Sequence, residues 1–207
     1  MSAAPRTLIL VQHTESEHHV NGHIGAWGDW PLTPRGREQA ASIGRWLLEK
    51  EPEAGAFRLV ASDLKRAWQT AQEIGKVLGL APEAEPLLRE VNAGAGNGQT
   101  RAWYDTHALP RPAVWDPDYK PFPDGESDRE LWARLEPVAG RLRTGPEERL
   151  LVVSHGTALS FLLNRLLGYS LDDLARQRFH GRGGSISKLV LEPGGRTVVR
   201  YINQLLW

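Results

Sequence analysis

Four side chains in this 207-residue chain have the chemistry needed to move a phosphoryl group: His13, Arg66, Glu90 and His155. Neutral imidazole is a nucleophile that can take the group as a phosphohistidine, dividing one hard displacement into two easier ones. A guanidinium offers a two-pronged fork to phosphate oxygens. A carboxylic acid can give its proton to a departing alkoxide, and Glu90 precedes a long loop closely enough to do so. The settings repeat: Gln12-His13-Thr14 follows the apolar run Thr7 to Val11, Ser62 to Arg66 follows Phe57 to Ala61, and Ser154-His155-Gly156-Thr157 follows Leu150 to Val153. Gly156-Thr157 would let the next helix aim backbone N–H groups at an anion. Singly, each residue has a bland reading: a structural histidine, a surface arginine, a solvated glutamate. Three polar clusters, each directly after an apolar run, carry more weight.

Those runs must be strands for the clusters to meet. They are short, apolar and β-branched, as buried parallel strands are. Between them the periodicity is helical. Thr33-Pro34 reads as an N-cap with proline at the first helical position, followed by Ala40, Ile43 and Leu47. Asp63 is the expected cap of a second helix with a stripe of Ala67, Ala71, Ile74 and Leu78, stopped by Gly79. Ser127 and Glu130 form a capping box ahead of Leu131, Leu135, Val138 and Leu142. Leu159 to Leu167 is a helix, and Ser185 to Leu191 and Thr197 to Ile202 are strands around a Pro-Gly-Gly turn. The expected fold is therefore α/β, a three-layer α/β/α sandwich with a mostly parallel open sheet, formed by a single domain over 1–207. Ligands in such sheets bind beyond the C-terminal strand ends, where the three clusters fall.

Residues 91–125 break the pattern, with glycine, proline and aromatics and no sustained period. A connection this long inside a compact domain is usually functional or disordered, and Trp103, Tyr104 and Trp115 argue for an ordered lid over the site. Trp103, Tyr104, His107 and Trp115 are the candidates for shaping a substrate pocket, or equally for stapling the lid to the body.

Composition narrows the function. The chain has 25 basic and 25 acidic residues, so net charge is zero and neither nucleic acid nor a membrane is expected as a partner. With no cysteine, thiolate catalysis and cysteine metal sites are excluded. The first apolar run is too short for a signal-peptide core, which leads us to expect a cytoplasmic protein. The expected partner is a small phosphorylated substrate; monomer and homodimer are both open, and neither metal nor cofactor is expected. His19 and His23 have i, i+4 spacing that could share a metal on a helix, but Asn21 and Gly22 argue against helix there and no carboxylate pair completes a set.

The segments LILVQHTESE, WGDWPLTPRGREQA, ASDLKRAWQTAQEIGKVLGL, LLRE and LLVVSHGTALSFLLNRLLG, in that order, resemble the histidine phosphatase superfamily, also called phosphoglycerate-mutase-like. The resemblance covers nearly the whole chain, and the late GGSIS segment fits it too. It implies that His13 is the phosphorylated nucleophile, Arg66 a phosphate-binding arginine, Glu90 the proton donor, and His155 the second histidine on the transferred phosphate. Gly156 matches a position whose amide contacts substrate, and His19 falls where relatives place a substrate-contacting asparagine.

Two departures stand out. The signature Arg-His-Gly is here Gln12-His13-Thr14, which keeps amide donors at Gln12 but removes a charge and alters a close backbone approach at Thr14. A cation from His18, His19, His23, Arg101, Arg111 or Lys120 is expected to replace it. The stretch Ala93 to Gly98 also lacks the acidic and aromatic pattern of many relatives. The implied activity is a phosphomonoester hydrolase working through phosphohistidine on a small phosphorylated metabolite. A phosphomutase and a catalytically weakened phosphate- or phosphoprotein-binding module are the alternatives.

Overall fold

The structure, a computed structural model, describes residues 4–51 and 53–206. In chain order the elements are β1 (Arg6–Gln12), α1 (Glu17–Asn21), α2 (Pro34–Lys50), β2 (Arg58–Ala61), α3 (Lys65–Leu78), β3 (Glu83–Ala84), α4 (Arg101–His107), α5 (Asp128–Thr144), β4 (Arg149–Ser154), α6 (Gly156–Leu166), β5 (Ile186–Leu191) and β6 (Thr197–Gln204). The six strands form one sheet in the order β3-β2-β4-β1-β5-β6. Pairing is parallel from β3 to β1 and antiparallel where β5 joins β1 and β6 joins β5. The sheet is mixed, and its parallel half carries all three polar clusters.

Strand alternation builds the layers. Ile9, Val11, Leu151 and Val153 face one side, against Ala40, Ile43 and Leu47 of α2 and Ala67, Ala71 and Ile74 of α3. Leu8, Leu10, Leu150 and Val152 face the other, against Val138 and Leu142 of α5 and Leu159, Leu162 and Leu166 of α6. With both faces covered, the strands have no polar side chain to spare until they end, and His13 and His155 are the first residues past β1 and β4.

The helix starts follow their local chemistry, with one correction. Thr33 accepts Gly36 N–H at 2.9 Å, and α2 begins so close to β1 that a Cβ on Gly36 would lie 1.9 Å from the Glu15 carbonyl oxygen. The Ser127–Glu130 box closes as expected, at 3.2 and 2.9 Å. Asp63, however, does not cap α3. Arg89 claims both its oxygens at 2.7 and 2.5 Å, and Asp29 instead accepts the Lys65 N–H at 2.7 Å. A bidentate charged pair outcompetes one cap bond.

Residues 91–125 carry α4 and little other regular structure. Tyr104 and Trp103 of α4 pack on Phe122 at ring separations of 5.1 and 5.7 Å, tying the segment into a unit. No helix among the described residues is long and apolar enough to cross a membrane.

Candidate active site

The adjacency of β1 and β4 puts His13 and His155 side by side, with ring centroids 5.1 Å apart. Arg66, in the first turn of α3 after β2, reaches the same point. Its Nε donates to His13 Nε2 at 3.2 Å. All three are buried, His155 fully, Arg66 to 1% and His13 to 3% exposure. A guanidinium this deep needs partners, and the loop after α1 supplies them: Ala26 and Gly28 carbonyls accept its two terminal nitrogens at 2.7 and 2.8 Å. Ala26 adopts φ 35, a left-handed conformation that costs a non-glycine residue energy and that the guanidinium contact holds in place.

The His13 ring is set for nucleophilic use. Nδ1 lies 2.8 Å from the Thr14 carbonyl, which can only accept, so the ring proton sits on Nδ1 and the Nε2 lone pair accepts the Arg66 N–H. Burial first, then the Arg66 charge, holds its pKa well below the ordinary imidazole value, and the same two causes act in that order on His155. Both rings are neutral at neutral pH. Burial also lowers Arg66, to about 10, which leaves it charged.

Glu90 stands on the opposite wall, at the start of α6. Its Oε1 accepts Val91 and Ala158 N–H at 2.9 and 3.1 Å, and its Oε2 accepts Thr157 N–H at 3.0 Å. A carboxylate has about four lone-pair sites, so three are filled and the one left for a proton is on Oε2. Glu90 thus uses two of the helix N–H groups expected to meet an anion. The Gly156 N–H makes no hydrogen bond among the described residues, and Gly156 lines the cleft.

A cleft of about 500 Å³ collects these groups. Gln12, His13, His19, Arg66, Glu90 and Gly156 all line it. His155 lies directly behind, its Nε2 2.8 Å from the Ser62 hydroxyl and its Nδ1 buried without a partner. Thr14 is a correction. Its hydroxyl donates to the Gly36 carbonyl at 2.7 Å and its N–H to Thr70 Oγ1 at 3.1 Å, so both point into the α2–α3 junction and away from the cleft. The residue fixes the β1 exit and has nothing free to offer a phosphate.

The candidate replacement cations divide. His18, His19, His23 and Arg101 line the cleft, and Arg111 lines a neighbouring cavity. Lys120 is drawn away by Glu130 at 2.7 Å. The His18 and His19 rings lie 4.0 Å apart, tilted at 40°, and sit 5.7 and 5.4 Å from His13. Desolvation and neighbouring positive charge push His18 down to about 3 and His19 downward, with Glu15 opposing at His19. The Ser16 N–H donates to His19 Nδ1 at 3.1 Å, so the neutral ring carries its proton on Nε2 and acts as a donor. Among the described residues Arg101 has one ion-pair partner, Asp105, at 3.8 Å.

Nitrogens of His13, His18 and His19 lie within 4.8 Å of one another, a spacing that could hold a metal. The hydrogen bonds argue otherwise. Both His13 nitrogens are engaged, and both His19 nitrogens are either accepting or protonated. His19 and His23 do not share a helix, since α1 ends at Asn21 and the His23 ring packs at a tilt on Trp30.

Some residues of the site carry no sequence signal. His180 and Gly181 line the cleft from an aperiodic stretch. A Cβ on Gly181 would meet Gln12 Oε1 at 2.8 Å, a constraint visible only once Gln12 is placed. Ser62 belongs to a polar cluster, but nothing in its position signals that it orients His155.

With this geometry in view, comparison with known proteins is decisive. The histidine phosphatase superfamily (branch 1) profile matches residues 8–204. The chain belongs to that superfamily. It is 34% identical over 176 residues to human 6-phosphofructo-2-kinase/fructose-2,6-bisphosphatase 4, covering 84% of this chain but 34% of that protein, so it spans about a third of that relative's length. It is 35% identical over 191 residues to a probable phosphoglycerate mutase GpmB of Proteus mirabilis, covering 87% of this chain and 82% of that one. A mycobacterial glucosyl-3-phosphoglycerate phosphatase in complex with VO3 superposes with a TM-score of 0.80 at 25% identity, over 97% of this chain and 100% of its own. The α/β fold and the phosphatase-or-mutase character of the superfamily are thereby shown.

Proposed function

We propose that the chain is a phosphomonoester hydrolase that acts on a small phosphorylated metabolite through a phosphohistidine at His13. The observation that carries this reading is the His13 ring on a cleft shared with Arg66 and Glu90, its proton fixed on Nδ1 by the Thr14 carbonyl. Its Nε2 lone pair is held only by the Arg66 N–H, a donor that an arriving phosphate oxygen takes over to free Nε2 for attack. Nε2 attacks phosphorus, the bond to the alcohol oxygen breaks, and Glu90 Oε2 gives that oxygen a proton. The imidazolium that forms keeps its Nδ1–H on Thr14. Water deprotonated by Glu90 then attacks the phosphohistidine and phosphate departs. Arg66, the Gly156 N–H, His19 Nε2–H and His155 are the donors for the three equatorial oxygens, where charge is spread in flight. Gln12 contributes amide donors without charge, and Arg101 is the cation placed to make up the difference.

Hydrolysis is favoured over mutase transfer because the cleft adjoins a second cavity across Val91, Tyr104, Thr157 and His180, which gives water a route. The test is to measure phosphate release and acid-labile phosphate labelling for wild type and His13→Ala. Wild type should release phosphate from p-nitrophenyl phosphate and label at His13, and the variant should do neither. Release that survives in His13→Ala would overturn the reading, and quantitative phosphate return to a second hydroxyl would favour the mutase.

A further inference from the structure

The second cavity is larger than the cleft, about 670 Å³, and a path for water uses little of it. A three-carbon alcohol would fill little of it, since ligand sites of roughly 300–1,000 Å³ suit much bigger molecules. Its walls are firmly built. Asp128 at the head of α5 accepts the Trp115 indole N–H at 2.9 Å and an Arg178 N–H at 2.5 Å, so one carboxylate pins the 91–125 segment to the opposite rim. Tyr119 is pinned too, its hydroxyl donating to the Leu109 carbonyl at 2.6 Å.

Three features of the lining suit a ligand. Aromatic surface comes from Tyr104, Trp115 and Tyr119, suited to the face of a ring. Gln177 lines the cavity, and among the described residues its buried amide nitrogen has no hydrogen-bond partner, which leaves an unsatisfied donor in the wall. Arg111 makes no hydrogen bond or ion pair among the described residues. The carboxylates around it are all engaged: Glu126 with Arg134, Asp128 with Arg178, and Asp116 with the Asp118 N–H.

We infer that this cavity holds the alcohol part of the substrate, and that the substrate is a phosphomonoester of a sugar-sized ring alcohol bearing a second anionic group. The phosphate occupies the cleft, the ring lies on Trp115 and Tyr104, a ring oxygen accepts from Gln177, and the second anion pairs with Arg111. Tyr104 lines both spaces and so marks where the two halves of the substrate join. The inference rests on the hydrolase reading above and names its substrate class.

The test compares kcat/KM for 3-phosphoglycerate, glucose 1-phosphate and glucuronic acid 1-phosphate, in wild type, Arg111→Gln and Trp115→Ala. The last two substrates share ring and leaving oxygen and differ by one carboxylate. Wild type should prefer glucuronic acid 1-phosphate over both others. Arg111→Gln should lower the glucuronic-to-glucose ratio about tenfold, the usual loss for one charge-assisted hydrogen bond. Trp115→Ala should lower both sugar phosphates relative to 3-phosphoglycerate. A wild-type preference for 3-phosphoglycerate, or a ratio untouched by Arg111→Gln, would overturn the inference. If His13 still labels and p-nitrophenyl phosphate is still cleaved in those cases, the hydrolase reading stands and only the substrate class falls.

Discussion

The floor of the cleft and the wall of the neighbouring cavity are built by different means. At the floor, His13, Arg66 and His155 are buried and wired to backbone carbonyls or to Ser62, and strand ends decide where each one stands. At the wall, Trp115, Tyr119 and Arg111 come from a segment with little regular structure, held by a few bonds to α5 and to itself. The contrast implies a division of labour. The floor has little freedom to change without losing the chemistry, while the wall can vary in sequence and set which alcohol is accepted.

Beyond loss of the nucleophile, the largest expected effect is at Arg66. Arg66→Ala removes the fork on the phosphate, the donor to His13 Nε2 and the tie to Ala26 and Gly28. Removing one preorganised donor to a transition-state oxyanion costs on the order of 10²–10³ in kcat. Arg66→Lys keeps the charge but not the fork and should recover less than a tenth of the lost rate. If lysine restored wild-type kcat, charge alone would be sufficient and the contrast between a rigid floor and a tolerant wall would weaken.

How much of this is legible in the sequence follows the same division. Buried strands announce themselves as apolar runs, so the order of residues alone locates the ends of β1, β2 and β4, and with them His13, Arg66 and His155. Glu90 is legible only weakly, as a carboxylate ahead of the long loop, until the family resemblance singles it out. Thr14 misleads because its local sequence says nothing about α2 and α3 packing against the β1 exit, where Gly36 and Thr70 take both its polar groups. Asp63 misleads for a similar reason, because its partner Arg89 lies 26 residues away. Within 91–125, aromatic residues predict order but not direction. Trp103 and His107 stack on each other at 4.2 Å and neither lines the cleft or the neighbouring cavity, whereas Tyr104 and Trp115 do. Side-chain direction in an aperiodic segment depends on contacts far off in sequence.

The floor's cost should show in its response to acid. His13, His155, His18 and His19 are all lowered in the folded state, chiefly by desolvation. Above about pH 6.5 these rings are neutral in both states and cost nothing. As pH falls below that value the unfolded chain takes up protons that the folded chain refuses, so stability declines toward the lowered folded values. Each fully buried ring contributes a slope of about 1.4 kcal/mol per pH unit in that window. Denaturant midpoints should therefore fall between pH 6.5 and 5, above the range where carboxylates titrate. The nucleophile, by contrast, stays neutral there, so the acid limb of kcat/KM should lie below the ordinary imidazole value. A flat stability profile from pH 7.5 to 5 would mean that the cluster is solvated.

A smaller effect is expected at Gln12, where floor and wall meet. Its carboxamide lies against Gly156 and Gly181, close enough that a Cβ on either glycine would meet it at 3.4 or 2.8 Å. Gln12→Arg adds a charged donor on the cleft. Hydrogen bonds to charged groups contribute about 1.5–3 kcal/mol against about 1 for neutral ones, so kcat/KM for p-nitrophenyl phosphate should rise roughly 3- to 30-fold. No gain, with the fold intact, would mean that another cation already does this work, and Arg101 is the one to remove next.

The smallest effect is expected at His107, and it tests whether the wall is confined to the residues that face the cavity. His107 is exposed, stacks on Trp103, and its Nδ1 lies 2.8 Å from the Trp103 carbonyl in the preceding turn of α4. Surface contacts of this kind change stability by about 0.5 kcal/mol or less. His107→Ala should therefore leave kcat/KM for every substrate within about twofold of wild type. A change confined to the sugar phosphates would mean that α4 transmits its packing to Tyr104, and that the wall extends one helical turn further from the cavity than its lining residues suggest.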